Sequence, residues 1–312
     1  MTVRVPAKVN LQLAVGQLRP DGYHELVTVL HAVSLFDEVT VTAAARTSVL
    51  TTGEGAASVP RGSANLAVRA VAALAQALGH RSRGKPAVAI EIRKRIPVAA
   101  GLAGGSADAA AALLACNELW QAGLSAAELS TVAAALGSDV PFALAGGTAI
   151  GLGRGEQLTT ALVKGSYHWV LAFAAGTLAT PQVYAACDRL RAARQAGQGR
   201  VRPQAAALST ALMAALRSGN AAAVGPLLAN DLQPAALSLL PQLRRTLAAG
   251  REYGALGAVV SGSGPTCAFL APDPATAREL AVSLAGAGVC RSVVQATGPA
   301  PGAAILARRG TA

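Results

Sequence analysis

One stretch limits this chain more than any other: Pro97-Val-Ala-Ala-Gly-Leu-Ala-Gly-Gly-Ser-Ala-Asp-Ala-Ala-Ala-Ala-Leu113. A strand-like run, Ala87 to Ile92, leads into it, and an apolar helical run, Ala109 to Leu119, leads out. Gly101, Gly104 and Gly105 let the backbone turn with positive φ and approach a ligand closely. A helix starting near Ser106 turns its free N–H groups and the positive end of its dipole toward the loop. Strand, glycine turn and helix together make a site for an anion, phosphate foremost. The same spelling also suits tight packing in an alanine-rich protein, and the loop alone does not choose. No Gly-Lys-Ser/Thr closes it and its glycines are not spaced G-x-G-x-x-G, which excludes the two commonest nucleotide loops.

Composition narrows the classes. A chain of 312 residues, 52% hydrophobic and 14% charged, can bury one large or two medium cores. No apolar run reaches the length of a membrane span. Met1 to Asn10 carries Arg4, Pro6 and Lys8 with no apolar core, so no secretory signal is expected. Cys116, Cys187, Cys267 and Cys290 are scattered and read as free thiols of a cytoplasmic protein. The four histidines lack metal-ligand spacing. A net charge of +11 raises nucleic-acid binding, but the basic residues are dispersed and aromatics make up 3% of the chain. Neither a nucleic acid nor a membrane is expected as partner. Only four basic residues are lysines (Lys8, Lys85, Lys94, Lys164), which hints at places that want a compact ammonium.

Along the chain, Arg4 to Val15 alternates as a strand, with Pro6 at an edge or bulge and Lys8, Asn10 and Gln12 on one face. Arg19-Pro-Asp-Gly22 signals a turn, followed by an apolar run to Leu35 and a further strand from Asp37 to Thr42. Thr47 to Arg61 reads as a hairpin and loop. Asn65 suits the N-cap of a helix ending at Leu78, and Ser125-Ala-Ala-Glu128 is a capping box. Asp139, in Gly137-Ser-Asp-Val-Pro-Phe142, reads by spacing as an N-cap. Helices are expected over 181–194, 204–217, 221–229, 234–249 and 274–285, with an exposed loop over 195–203. Strands are expected over 168–174, 258–260, 266–270 and 292–296. Ser261-Gly-Ser-Gly-Pro265 breaks the pair 258–260 and 266–270, as a tight hairpin would. This order suggests an α+β sandwich in the second half.

Three stretches in chain order resemble the GHMP kinase superfamily: Pro6-Ala-Lys-Val-Asn10-Leu, Pro97 to Ala110, and Val260-Ser-Gly-Ser-Gly-Pro-Thr266. The resemblance implies a two-domain α+β fold. Residues 1–158 would form an N-terminal ATP-binding domain like ribosomal protein S5 domain 2. Residues 159–300 would form a ferredoxin-like α/β plait, and 301–312 a tail, with the active site in the cleft between the domains. Asp21-Gly-Tyr-His-Glu-Leu26 and Gly137-Ser-Asp-Val-Pro-Phe142 are similar to the branch whose acceptor is a cytidylylated methylerythritol, phosphorylated on its 2-hydroxyl in the non-mevalonate isoprenoid route.

By that resemblance Asp139 takes the acceptor's proton and Lys8 orients Asp139 and stabilises the transferring group. ATP is held by Pro97, Ala99, Ala100, Gly101, Leu102, Ala103, Gly104, Gly105, Ser106 and Ala107, with Asn65, Leu66 and Lys94 around the adenosine. Asn10 lines the acceptor pocket. Tyr23, His24 and Tyr184 hold the cytidine, and Ser261, Gly262, Ser263 and Gly264 close the pocket. Mg²⁺ is the implied metal, with Ser106 as candidate ligand. The common loop of the superfamily has a glycine where Ala103 stands and a serine where Ala107 stands; Ala103 is expected to keep φ negative. A monomer or weak homodimer is expected. The competing readings are a GHMP kinase of homoserine or mevalonate type, a non-catalytic nucleotide-binding regulator and a basic RNA-binding module.

Overall fold

The computed structural model describes residues 1–82, 84–198 and 206–307. Its strands are β1 (Thr2–Leu18), β2 (His24–Ala44), β3 (Ser48–Gly53), β4 (Ala87–Lys94), β5 (Thr148–Gly153), β6 (Gln157–Thr160), β7 (Tyr167–Phe173), β8 (Ala229–Asn230), β9 (Gly257–Val260), β10 (Cys267–Ala271), β11 (Ser292–Gly298) and β12 (Ala304–Ala307). The α-helices are α1 (Leu66–Leu78), α2 (Gly104–Leu119), α3 (Ala126–Leu136), α4 (Val140–Ala145), α5 (Thr180–Gln198), α6 (Thr210–Ser218), α7 (Ala221–Val224), α8 (Gln233–Leu239), α9 (Gln242–Glu252) and α10 (Pro274–Gly286).

The first sheet has the order β12-β1-β2-β4-β3, with β5 and then β6 branching from β2, and β8 beside β1. The second is antiparallel, β11-β7-β10-β9. With α5 to α9 between β7 and β9, and α10 between β10 and β11, it is a ferredoxin-like plait. The expected α+β fold is therefore present. One apolar core joins α2, β1, β2 and β4 to Trp169 and Leu171 of β7; a second lies between the plait and its helices and takes in Leu13 and Val15 of β1. β1 thus feeds both cores, which is why its polar residues Lys8, Asn10 and Gln12 are all buried.

The long strands differ from expectation. The runs before and after Asp37 are one 21-residue strand. Its register against β1 slips at Pro6/Ala7, a bulge that absorbs a residue without an N–H. Residues 48–53 do not form a hairpin. They run parallel to β4 through a crossover containing α1, because β4 already occupies the edge of β2. The expected helix 234–249 breaks before Pro241, which cannot donate to its fourth predecessor. The helix expected from residue 204 starts at Thr210, capped by Ser209; residues 199–205 lie outside the described residues. Residues 195–198 of the expected loop 195–203 belong instead to α5, which runs to Gln198; the rest of it lies outside the described residues. Of the expected tail, 304–307 is an edge strand on β1, and 308–312 lie outside the described residues. Asn65 caps α1 by accepting from the Ala67 N–H at 2.9 Å, and Ser125 and Glu128 form the capping box.

At the seam between the sheets His31 is fully buried, bonded through Nδ1 to Thr148 Oγ1 at 2.7 Å and packed near Tyr167 and Trp169. Burial lowers its pKa to about 3. Between that value and about 6.5 the unfolded chain binds a proton that the folded chain refuses, so stability is present above 6.5 and drains as pH falls. Urea denaturation is expected to show a His31-dependent loss of about 2–3 kcal/mol between pH 7 and pH 4.5. His31→Gln removes that part of the pH dependence; an unchanged profile contradicts the assignment.

Candidate active site

A cavity of about 880 Å³ opens between the glycine loop, the β1–β2 face, α5 and the 261–264 turn. Its floor is set by β1. Alternation puts Lys8 and Asn10 on the cavity face, and Asn10 Oδ1 accepts from Lys8 Nζ at 2.6 Å. Asn10 Nδ2 donates to Thr28 Oγ1 at 2.9 Å, and that hydroxyl donates to the Gln12 carbonyl at 2.7 Å. Lys8 is thereby aimed rather than solvated: its Nζ lies 4.0 Å from Asp139 Oδ2. Asp139 immediately precedes α4, as an N-cap would, yet its side chain makes no capping bond. Its side chain remains 35% exposed, leaving the carboxylate available to a ligand.

The glycine loop is stitched to its surroundings through backbone. The Lys8 N–H donates to the Leu102 carbonyl at 3.3 Å, so strand and loop move as one. Ser261 Oγ donates to the Gly101 carbonyl at 3.1 Å, and the Thr266 N–H to the Ala100 carbonyl at 3.4 Å. Gly101 has φ +76°, and a Cβ there would lie 2.1 Å from the Ser261 carbonyl oxygen, so this position admits only glycine. Ala103 is a correction: its φ is +60°, not negative. It occupies the left-handed N-cap of α2, held by its carbonyl accepting from the Ala107 N–H at 2.9 Å. Alanine tolerates that conformation at a cost of about 1–2 kcal/mol. Helix α2 begins at Gly104, two residues before expectation, so the amides of Gly104, Gly105 and Ser106 are its first free donors.

Most expected site residues line this cavity: Lys8, Asn10, Tyr23, His24, Leu66, Ala99, Ala100, Gly101, Ala103, Gly104, Gly105, Ser106, Asp139, Tyr184, Gly262 and Ser263. His24 and Tyr184 stack with ring centroids 5.1 Å apart. Burial, helped by Asp139 and Cys187, pushes the Tyr184 phenol up to about 12, so it stays protonated. Other expected residues lie outside the cavity lining. Pro97 and Leu102 are buried in the loop, Ala107 packs in the core, and Ser261 and Gly264 shape the opposite turn. Asn65 is spent on capping α1.

Lys94 does not line this cavity. It is 3% exposed and lies beneath the loop, its ammonium paired with Asp37 and, at 2.8 Å, with Asp108. Asp37 also accepts from the Arg95 and Ile96 N–H groups at 2.6 and 2.9 Å. One ammonium therefore ties the entry of the loop to the helix that leaves it. Burial works to lower the Lys94 pKa, but Asp108 and Asp37 together raise it; burial also lifts the Asp108 carboxyl well above the usual range, against the pull of Lys94.

Sequence reading missed several contributors. Asn230 Nδ2 donates to the carbonyls of Val260 and Gly262, both at 2.7 Å, and fixes the turn over Lys8; nothing in its local sequence marks it. Asp188 bonds His24 Nε2 at 2.9 Å, and its position one helical turn after Tyr184 was a legible signal. Arg154 also lines the cavity, from within a glycine-rich stretch. Among the described residues no group of three or more His, Cys, Asp or Glu could hold a metal ion, and no helix is long and apolar enough to cross a membrane.

Comparison with known proteins bears on this geometry. Residues 65–147 match the model of the GHMP kinases N terminal domain, and 212–290 that of the GHMP kinases C terminal domain. A 4-diphosphocytidyl-2-C-methyl-D-erythritol kinase of Mycolicibacterium gilvum is 55% identical over 312 residues, covering 100% of this chain and 94% of that one. The crystal structure of a 4-(cytidine 5'-diphospho)-2C-methyl-D-erythritol kinase superposes with a TM-score of 0.75 at 34% identity, over 95% of this chain and 98% of the other. A homoserine kinase from Cytophaga hutchinsonii superposes with a TM-score of 0.71 at 18% identity, over 98% and 97% of the two chains; that likeness concerns the fold alone. The chain belongs to the 4-diphosphocytidyl-2-C-methyl-D-erythritol kinase family of the GHMP kinases.

Proposed function

We propose that this chain transfers the γ-phosphoryl group of ATP to the 2-hydroxyl of 4-diphosphocytidyl-2-C-methyl-D-erythritol. The observation that carries the residue roles is the meeting of Lys8 and Asp139 at 4.0 Å, between the glycine loop and the His24–Tyr184 stack. The Asp139 carboxylate takes the hydroxyl proton as the oxygen attacks. Lys8 has one donor committed to Asn10 and directs the others at Asp139 and the transferring group. The amides at the start of α2 receive the ATP phosphates. A single helix-terminus contact contributes about 0.3–1 kcal/mol, so several direct amide bonds and the Lys8 charge must act together.

Mg²⁺ fits a site of this kind. It binds phosphorylated ligands through one or two protein oxygens and needs no protein cage. Ser106, in the first turn of α2 and in the cavity wall, would supply such an oxygen. When bound, the ion neutralises charge on the β- and γ-phosphates. Tyr23, His24 and Tyr184 hold the cytidine. The working unit proposed is a monomer or weak homodimer. All four cysteines are free, with burial pushing Cys116 and Cys267 up to about 12, which suits the reducing cytoplasm.

A panel of acceptors read by ADP release tests the substrate. The cytidylylated methylerythritol is expected to be phosphorylated, and homoserine and mevalonate are not. Turnover of either of those without the cytidylyl compound would reassign the chain within its superfamily.

A further inference from the structure

The cavity wall holds few charges, and most are already matched. Lys8 faces Asp139 at 4.0 Å, and His24 bonds Asp188 at 2.9 Å. The guanidinium of Arg154 also lines the wall, with Glu156 as its ion-pair partner. It sits in the turn between β5 and β6, flanked by Gly153 (φ +72°) and Gly155 (φ +100°). Glu156 does not consume its donors. The carboxylate accepts from the Arg154 backbone N–H at 2.7 Å, and it lies 3.8 Å from Nε, beyond hydrogen-bond reach. The guanidinium instead lies over the Tyr23 ring, 5.0 Å from its centroid.

The turn reaches toward the other end of the site as well. A Cβ on Gly155 would lie 3.9 Å from Ser138 Cβ, so the turn that carries Arg154 packs against the residue before Asp139, while its guanidinium lies over Tyr23 in the same cavity. An acceptor with its base beside Tyr23 and its hydroxyl beside Asp139 would run its connecting group through the cavity whose wall carries this guanidinium. In the reaction proposed above, on which this inference rests, that group is a diphosphate, charged on each phosphate. An arginine meets such a group with a planar fork of donors. Ring contact holds the fork in place without using those donors.

We propose that Arg154 recognises the acceptor's diphosphate and so sets a preference for a nucleoside-diphosphate-linked alcohol over a bare one. It touches the substrate away from the transferring group, so it governs acceptor binding rather than the chemical step.

Calorimetric titration of the full chain with cytidine 5'-diphosphate and with cytidine tests this. The wild type is expected to bind the diphosphate more tightly. Arg154→Gln loses about ten- to a hundred-fold in diphosphate affinity, the range for a charged hydrogen bond, with cytidine affinity unchanged. Arg154→Lys recovers part of the loss, as a point charge without the fork. In turnover, Arg154→Gln raises the acceptor KM by a similar factor and leaves kcat and the ATP KM at wild-type values. Unchanged diphosphate affinity in Arg154→Gln overturns the inference, and so does an equal loss for cytidine and its diphosphate, which would mean that Arg154 acts only through Tyr23. A wild type that binds neither compound overturns the cytidylyl substrate itself, a different failure.

Discussion

Asp139→Asn is expected to lower kcat by about 10²–10⁴-fold, the contribution of a positioned general base, with little effect on stability. The reason lies in what Asp139 does not do. It precedes α4 but makes no capping bond, so the fold does not depend on its carboxylate. Among the described residues its ion-pair partner is Lys8 at 4.0 Å, with the Asp139 side chain 35% exposed. The pair is long and half-buried, and Lys8 keeps its bond to Asn10 when the carboxylate is lost, so the cost to stability is expected to stay near that of an exposed pair, about 1 kcal/mol. Asparagine keeps the shape and removes the proton acceptor. Steady-state kinetics with both substrates varied should show the loss in kcat, with both KM values within a few-fold of wild type. An Asp139→Asn enzyme turning over at the wild-type rate removes Asp139 from the chemistry.

Lys94→Met should act in the opposite way, through the fold. The substitution keeps the stem and removes the ammonium that pairs Asp37 with Asp108, in a place where all three side chains are at most 5% exposed. Breaking a buried pair from one side costs about 3–5 kcal/mol, because a charge is left without a counter-ion. Here Asp37 keeps the Arg95 and Ile96 amides, while Asp108 keeps only the neighbouring Asp37 carboxyl, its Oδ1 being already without a hydrogen-bond partner. Against a typical total of about 5–15 kcal/mol the loss is large. Urea denaturation should show the midpoint drop. Asp108→Asn, which retains a polar group of the same shape, should cost far less. A Lys94→Met loss below about 1 kcal/mol would show that the triad does not hold the loop.

These two residues also mark where sequence reading succeeds and where it stops. Lys8 and Asn10 were legible because strand alternation fixes a face. Asn65, Ser125 and Glu128 were legible because capping is local chemistry, set within a few residues. The glycine loop announced itself for the same reason. The pairing of Lys94 was not legible because Asp37 and Asp108 lie 57 and 14 residues away, and only the folded chain shows that all three meet beneath the loop. The parallel pairing of β3 with β4 and the return of 304–307 to β1 are likewise decided by which sheet edges remain unpaired. Ala103 is subtler. Its positive φ follows from loop closure against Lys8 and Ser261, and alanine spelling conceals it. Asn230 is the clearest gap, a lone side chain from a two-residue strand that pins the turn over the reacting centre.

The central claim is that the glycine loop, Lys8 and Asp139 bring the γ-phosphate of ATP to the 2-hydroxyl of the cytidylylated acceptor. Phosphorus NMR of the wild-type reaction tests it most directly. A new phosphomonoester resonance coupled to carbon 2 of the methylerythritol is expected, growing in step with ADP while the cytidine diphosphate signals persist. ADP release without that resonance, or a phosphomonoester on another carbon, would contradict it.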